Sequence, residues 1–113
     1  NEEVEINKHL FEWVIENLCK NAVDAMSGVG DIWVSLNRIS PNRIAIDIAD
    51  NGKGISKSQQ RKIFQPGFST KKRGWGLGLT LARRIIENYH EGRLFVKESE
   101  LGKGTTFRII LRG

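Results

Sequence analysis

A chain of 113 residues with 39% hydrophobic content has the size of one domain that buries its own core, with no room for a second. Its net charge of +5 is scattered apart from Lys71-Lys72-Arg73 and Lys97 and Lys103, and no recognition motif or aromatic stacking platform accompanies it, which argues against nucleic acid. No run nears the ~20 apolar residues that cross a bilayer, and no secretion signal opens the chain, so this piece is expected to be soluble, with no membrane contact of its own. Beginning at Asn1, with its only methionine at Met26, it reads as an excerpt of a longer polypeptide. The single cysteine, Cys19, suits a reducing cytoplasm and is expected to act as a small buried hydrophobe.

Asn7 is placed to cap a helix running to about Met26, in which Phe11, Val14, Ile15, Leu18, Ala22 and Ala25 or Met26 recur at helical spacing as the core face. Ser27-Gly28-Val29-Gly30 ends it. Ile32, Val34 and Leu36 then alternate with Trp33, Ser35 and Asn37 as a strand. Ser40-Pro41-Asn42 turns the chain into a second strand, where Ile44, Ile46 and Ile48 alternate with Ala45, Asp47 and Ala49. Ser56 with Gln59 has the spacing of a capping box for a short helix through about Phe64. Residues 65–75, with proline, two glycines, cations and aromatics, suggest a long mobile loop. From about Gly76 a third helix is expected to turn Leu79, Ala82, Ile86 and Tyr89 inward and to end near Glu91-Gly92. Strands over 94–98 and 105–111 close the chain around the turn Leu101-Gly102-Lys103-Gly104. This order implies an α+β fold, an antiparallel or mixed sheet with helices on one face.

Asp50 is the sharpest residue in the chain. Its parity in the second strand puts a carboxylate on the face of Ile44, Ile46 and Ile48, where an ionised acid is costly unless something donates hydrogen bonds to it. The exocyclic amino group of a heterocycle such as adenine is one such donor; capping of the following turn is the plainer alternative. Gly52 and Gly54 allow positive φ and close approach of backbone to a planar ligand. On the first helix Asn17 and Asn21 lie one turn apart on the flank of the apolar stripe, although asparagine is a poor helix-interior residue. An amide oxygen there suits Mg²⁺. Glu16 and Lys20 have the spacing of a surface ion pair, with Lys20 also in reach of a phosphate. Gly74-Trp75-Gly76-Leu77-Gly78-Leu79 directly precedes the third helix, where unpaired N–H groups suit an anion, and Lys71-Lys72-Arg73 comes just before it. This run is neither a Rossmann fingerprint nor a Walker loop.

Four ordered patches, Asn17 to Ala22, Asp50 to Gly54, Ile63 to Lys71 and Gly74 to Leu79, resemble the N, G1, F and G2 boxes of the ATP-binding catalytic domain of sensor histidine kinases. That family shares a superfamily with gyrase, heat-shock-90 chaperones and mismatch-repair ATPases. The resemblance covers nearly all of residues 1–113. It implies one Bergerat domain, a two-layer α/β sandwich with a mixed, mostly antiparallel sheet and three helices on one face. ATP would lie between the first helix and a flexible lid over about 56–75. Asp50 would receive the adenine amino group directly and through a water shared with Thr105, within an ATP site that also takes in Gly52, Gly54, Ile55, Phe64, Gly74, Gly76, Leu77, Gly78 and Leu79. Asn21 would hold Mg²⁺ with Asn17 in support. Lys20, Lys71 and the Gly76 to Gly78 amides would meet the phosphates, and Phe64 and Phe68 would anchor the lid.

Where true ATPases of the superfamily carry a glutamate base this chain has Asn17, and an amide cannot take a proton from water. The resemblance therefore implies a cytoplasmic kinase domain that donates the γ-phosphoryl group of ATP to a histidine on a separate helical dimerisation domain, in a homodimeric protein that feeds a response regulator. The alternative is a nucleotide-sensing or interaction module without phosphotransfer. His90-Glu91 echoes a phosphoacceptor dipeptide, but it closes a helix, where the dipole favours histidine.

Overall fold

The computed structural model describes residues 7–65 and 78–112. Helix α1 spans Lys8–Ala25 and is capped by Asn7, whose side chain accepts the N–H of Leu10 at 3.1 Å. Its buried residues Val14, Leu18 and Ala22 follow the expected stripe. Strands β1 (Ile32–Ser40) and β2 (Arg43–Asp50) form the expected hairpin. A short helix α2 (Lys57–Gln60), a 3₁₀ turn (Lys62–Phe64) and helix α3 (Gly78–Arg84) precede β3 (Arg93–Glu100) and β4 (Gly104–Arg112). The sheet order is β1-β2-β4-β3, and every neighbouring pair among the described residues is antiparallel. The helices cover one face. Val14 and Leu18 of α1, Ile63 and Phe64 of the 3₁₀ turn, and Ala82 and Ile86 of the third helical segment pack in one cluster with Ile46, Ile48, Leu94, Phe107, Ile109 and Leu111 of the sheet. The sheet residues in that cluster share one parity, so the apolar face of the pleat is the covered one.

Four local details depart from expectation. Ser56 occupies the N-cap position of α2 but makes no capping bond; its Oγ lies 3.2 Å from Ser58 Oγ instead. Val34 and Leu36 lie on the helix side of the sheet by register, yet each is 59% exposed, because β1 is the sheet edge. After Arg84 the third helix widens into a π-type turn over Ile85–Tyr89. One extra residue per turn shifts the inward face from Tyr89, which is 67% exposed, to His90, which is 5% exposed. His90 Nδ1 lies 3.1 Å from the Ile85 carbonyl and Nε2 accepts the backbone N–H of Asn7 at 2.9 Å. Its ring also meets Phe11 edge-on. With both nitrogens engaged, His90 ties the end of the third helix to the start of α1.

On the far face of the sheet, Arg108 donates two bonds to Asp47, at 2.7 and 2.8 Å, and Lys97 lies 3.5 Å away. This guanidinium holds the Asp47 carboxyl below the usual carboxylate range against the opposing effect of burial, with Lys97 adding to the lowering. No helix among the described residues is long and apolar enough to cross a membrane.

Candidate functional site

Strand β2 ends at Asp50, opposite Ile32 on one side and Thr105 on the other. Its side chain falls on the helix side of the sheet and is 7% exposed. Oδ1 accepts the N–H of Gly52 at 2.8 Å. Among the described residues the second oxygen has no hydrogen-bond partner, and no cation pairs with the group. Turn capping and an acceptor still open to an incoming group therefore coexist in one carboxylate.

The turn that follows is locked by backbone contacts. Lys53 donates its N–H to the Ala25 carbonyl at 3.0 Å, filling one of the acceptors left open at the end of α1. The Lys53 carbonyl in turn accepts the N–H of Gly102 at 2.8 Å. Gly52 lies so close to α1 that an added Cβ would stand 2.7 Å from the carbonyl carbon of Ala25. Gly54 has φ +77, and a Cβ there would run into the Glu100 carbonyl. The sequence suggests close approach to a planar ligand at these glycines; in the structure they approach Ala25 and Glu100. The reason is convergence, since the end of α1, the turn after β2 and the turn before β4 meet backbone against backbone. Asp50 is held rigidly as a result.

Behind Asp50 stands a small hydroxyl network. Thr105 is buried, with its Oγ1 2.7 Å from Ser99 Oγ. Ser99 Oγ also accepts the N–H of Ile55 at 2.7 Å and lies 3.1 Å from the Gly104 carbonyl. Sequence reasoning misses Ser99, because strict alternation from Leu94 and Val96 turns it to the other face. The β3–β4 register shifts between Val96 and Glu98. One inserted residue reverses the parity and brings Ser99 opposite Thr105.

On the helix side, Asn17 is wedged between α1 and α3. Its Oδ1 would stand 3.0 Å from a Cβ on Gly78, the first residue of α3, and its Nδ2 is buried without a hydrogen-bond partner. A shallow groove runs along the α1 flank, lined by Trp13, Glu16, Asn17, Cys19, Lys20 and Val23. It does not reach Asp50 or Thr105. Asn21, half-buried on the same flank, has no hydrogen-bond partner among the described residues. Cys19 is only half-buried against the core, less than the buried hydrophobe the sequence suggests, and that burial pushes its thiol up. Phe64 is buried edge-on against Phe107 at 6.3 Å, with the Arg83 guanidinium 4.8 Å from its ring centre. Thr80 Oγ1 donates to the Phe64 carbonyl at 2.7 Å, a clamp on this segment that the sequence patterns do not flag. Ile55 and Leu79 are partly buried against the core. Lys71, Gly74, Gly76 and Leu77 lie outside the described residues, as do Phe68, Lys72, Arg73 and Trp75.

The described residues thus bring together Asp50, Gly52, Gly54, Ile55 and Thr105 at one end of the sheet, and Asn17 with Gly78 at the α1–α3 junction. Among them no group of three or more His, Cys, Asp or Glu could hold a metal ion. A divalent cation seated here would depend on a few amide oxygens and on the phosphates of a bound nucleotide. The undonated Asn17 Nδ2 is a donor and fits a phosphate oxygen, whereas the open Asn21 amide can offer its oxygen to a cation.

A match to the histidine kinase-, DNA gyrase B- and HSP90-like ATPase family runs over residues 7–113. The chain is 44% identical over 108 residues to the signal transduction histidine-protein kinase AtoS of Escherichia coli K12, covering 96% of this chain and 17% of that protein. It thus spans about a sixth of the length of that curated relative. Among solved structures, the catalytic domain of histidine kinase ThkA superimposes with a TM-score of 0.83 at 29% identity, covering 96% of this chain and 70% of that one. ThkA in complex with the response regulator protein TrrA gives a TM-score of 0.80 at 28% identity, covering 99% of this chain and 31% of that one.

Proposed function

The chain belongs to the family of histidine kinase-, DNA gyrase B- and HSP90-like ATPases, as an ATP-binding catalytic domain of the sensor histidine kinase kind, and from that premise we propose that it binds Mg-ATP and donates the γ-phosphoryl group to a histidine on a separate helical dimerisation domain of the same protein. The observation that carries this reading is Asp50, a buried carboxylate with one oxygen held by Gly52 and the other without a donor among the described residues. An adenine amino group supplies the missing donor. Thr105 stands opposite as a second polar contact, while Ile55 and Leu79 offer apolar surface to the base.

In this reading the Asn21 amide oxygen ligates Mg²⁺, and Asn17 backs it from the α1–α3 junction. The cation, when bound, neutralises charge on the phosphates. Lys20, Lys71 and the backbone amides of Gly76 to Gly78 hold the phosphate tail, with Gly74 part of the same ATP site, and Phe64 fixes the start of the lid segment to the core. Asn17 cannot act as a base toward water, so efficient hydrolysis is not expected of this domain, which serves by positioning and charge neutralisation. This reading puts the acceptor histidine on the separate helical domain, and His90, engaged at both nitrogens, does not serve as one. The ThkA–TrrA complex supports a response regulator as the downstream partner. A homodimeric parent with this domain in the cytoplasm completes the proposal.

Calorimetric titration with Mg-ATP tests the pocket: wild type should bind, and equal affinity for Asp50→Asn would remove the adenine assignment. Mixing the chain with its cognate helical domain and γ-labelled ATP tests transfer. Label should appear on histidine; tight ATP binding with no label would favour a nucleotide-sensing module instead.

A further inference from the structure

Ser99 has one hydroxyl proton and three neighbours. The Ile55 N–H occupies one of its lone pairs at 2.7 Å. Its proton can go to the Gly104 carbonyl at 3.1 Å or to Thr105 Oγ1 at 2.7 Å. The Gly104 carbonyl can only accept, whereas Thr105 carries a proton of its own. Both contacts are satisfied together in one arrangement: Ser99 donates to Gly104, and Thr105 donates to Ser99. The Thr105 proton is then consumed inside the protein, so Oγ1 has only lone pairs to offer elsewhere. Thr105 sits opposite Asp50 in register and on the same face of the sheet, where the remaining Asp50 oxygen is likewise only an acceptor.

We propose that Ser99 sets the hydrogen-bond polarity of the base pocket by holding Thr105 as an acceptor, which favours a purine with a 6-amino group over a 6-oxopurine. The inference rests on the adenine reading above and extends it to a positioning residue outside the four sequence boxes. Ser99 acts through Thr105 and does not touch the base. Its placement depends on the register shift in β3, which brings a residue of otherwise outward parity to the pocket side. Where both acceptors face the 6-position, a 6-oxo group, itself an acceptor, meets no donor there, and a 6-oxopurine has to shift to bring its N1–H to them, which is the disfavoured pairing.

The test is titration of the 113-residue chain with Mg-ATP and with Mg-inosine triphosphate, alongside thermal unfolding. Ser99→Ala releases the Thr105 proton toward the pocket. ATP binding should weaken about fivefold while inosine triphosphate binding tightens, so the two affinities move in opposite directions. Thr105→Val should weaken ATP by a similar factor without any gain for inosine triphosphate, and adding Ser99→Ala to it should cost ATP affinity nothing more. Ser99→Thr, which keeps the hydroxyl, should restore the wild-type ratio. If Ser99→Ala unfolds, Ser99→Cys keeps the volume with a weak hydrogen-bonding group and should show the same change in ratio. Equal weakening of both nucleotides in these variants, or an unchanged ratio, would reduce Ser99 to a strut for Ile55 and overturn the inference alone. Failure of the wild-type chain to bind ATP would bring down the adenine reading and this inference together.

Discussion

Asp47 and Asp50 stand three residues apart on β2, on opposite faces of the sheet, each 7% exposed. Asp47 receives both nitrogens of the Arg108 fork and the Lys97 ammonium nearby. Asp50 receives one backbone N–H and, among the described residues, no cation. Equal burial therefore conceals opposite states. One carboxylate is satisfied within the protein and contributes to holding β2, β3 and β4 together; the other keeps an acceptor for a partner that the chain does not itself supply. Burial of an acid marks a site only when its hydrogen-bond inventory is incomplete.

The contrast has consequences that can be measured, the largest at Asp50. Asp50→Asn should cost about a hundredfold in Mg-ATP affinity, the worth of a charged hydrogen bond, with little change in unfolding free energy. A titration that shows unchanged affinity would erase the distinction between the two acids. Asp47→Ala should do the reverse, removing about 2 kcal/mol of stability in urea unfolding while ATP affinity stays put. This figure lies between exposed and fully buried pairs because the Asp47 and Arg108 side chains are 10% and 20% exposed.

The pH dependence sharpens the same point on a smaller scale. The Asp47 carboxyl titrates below its ordinary value when folded, so the unfolded chain binds its proton first as the medium is acidified. Its stabilisation is complete above the unfolded carboxyl pKa of about 3.9 and is lost as pH falls through the lower folded value. Wild type and Asp47→Asn should therefore differ in stability at neutral pH and converge below about pH 4. Parallel curves down to strong acid would contradict the Arg108 pairing. Smallest of all, Lys97→Ala should cost under about 1 kcal/mol, since its ammonium is 3.5 Å from Asp47 and its side chain is 41% exposed.

Much of this was legible along the chain. The α1 stripe, the Asn7 cap, the hairpin around Pro41-Asn42 and the burial of Asp50 all follow from local periodicity and turn chemistry, which act over a few residues. Three features were not. Val34 and Leu36 alternate like core residues, but pattern alone does not reveal that their strand forms the sheet edge. Tyr89 has inward phase on an ideal helix, and the π-type turn gives that direction to His90. Ser99 changes face through a one-residue shift in pairing that depends on its partner strand.

Taken by itself, the order of residues determined which segments become helix or strand, which faces are apolar, and that a carboxylate would sit among isoleucines at the end of β2. Only the tertiary structure decided what meets that carboxylate: Gly52 against the end of α1, Thr105 across the ladder, and Ser99 behind it through a reversed parity. The physical reason is that periodicity is a property of one segment, whereas register, close backbone approach and the direction of a shared proton exist only between segments brought together from distant parts of the chain.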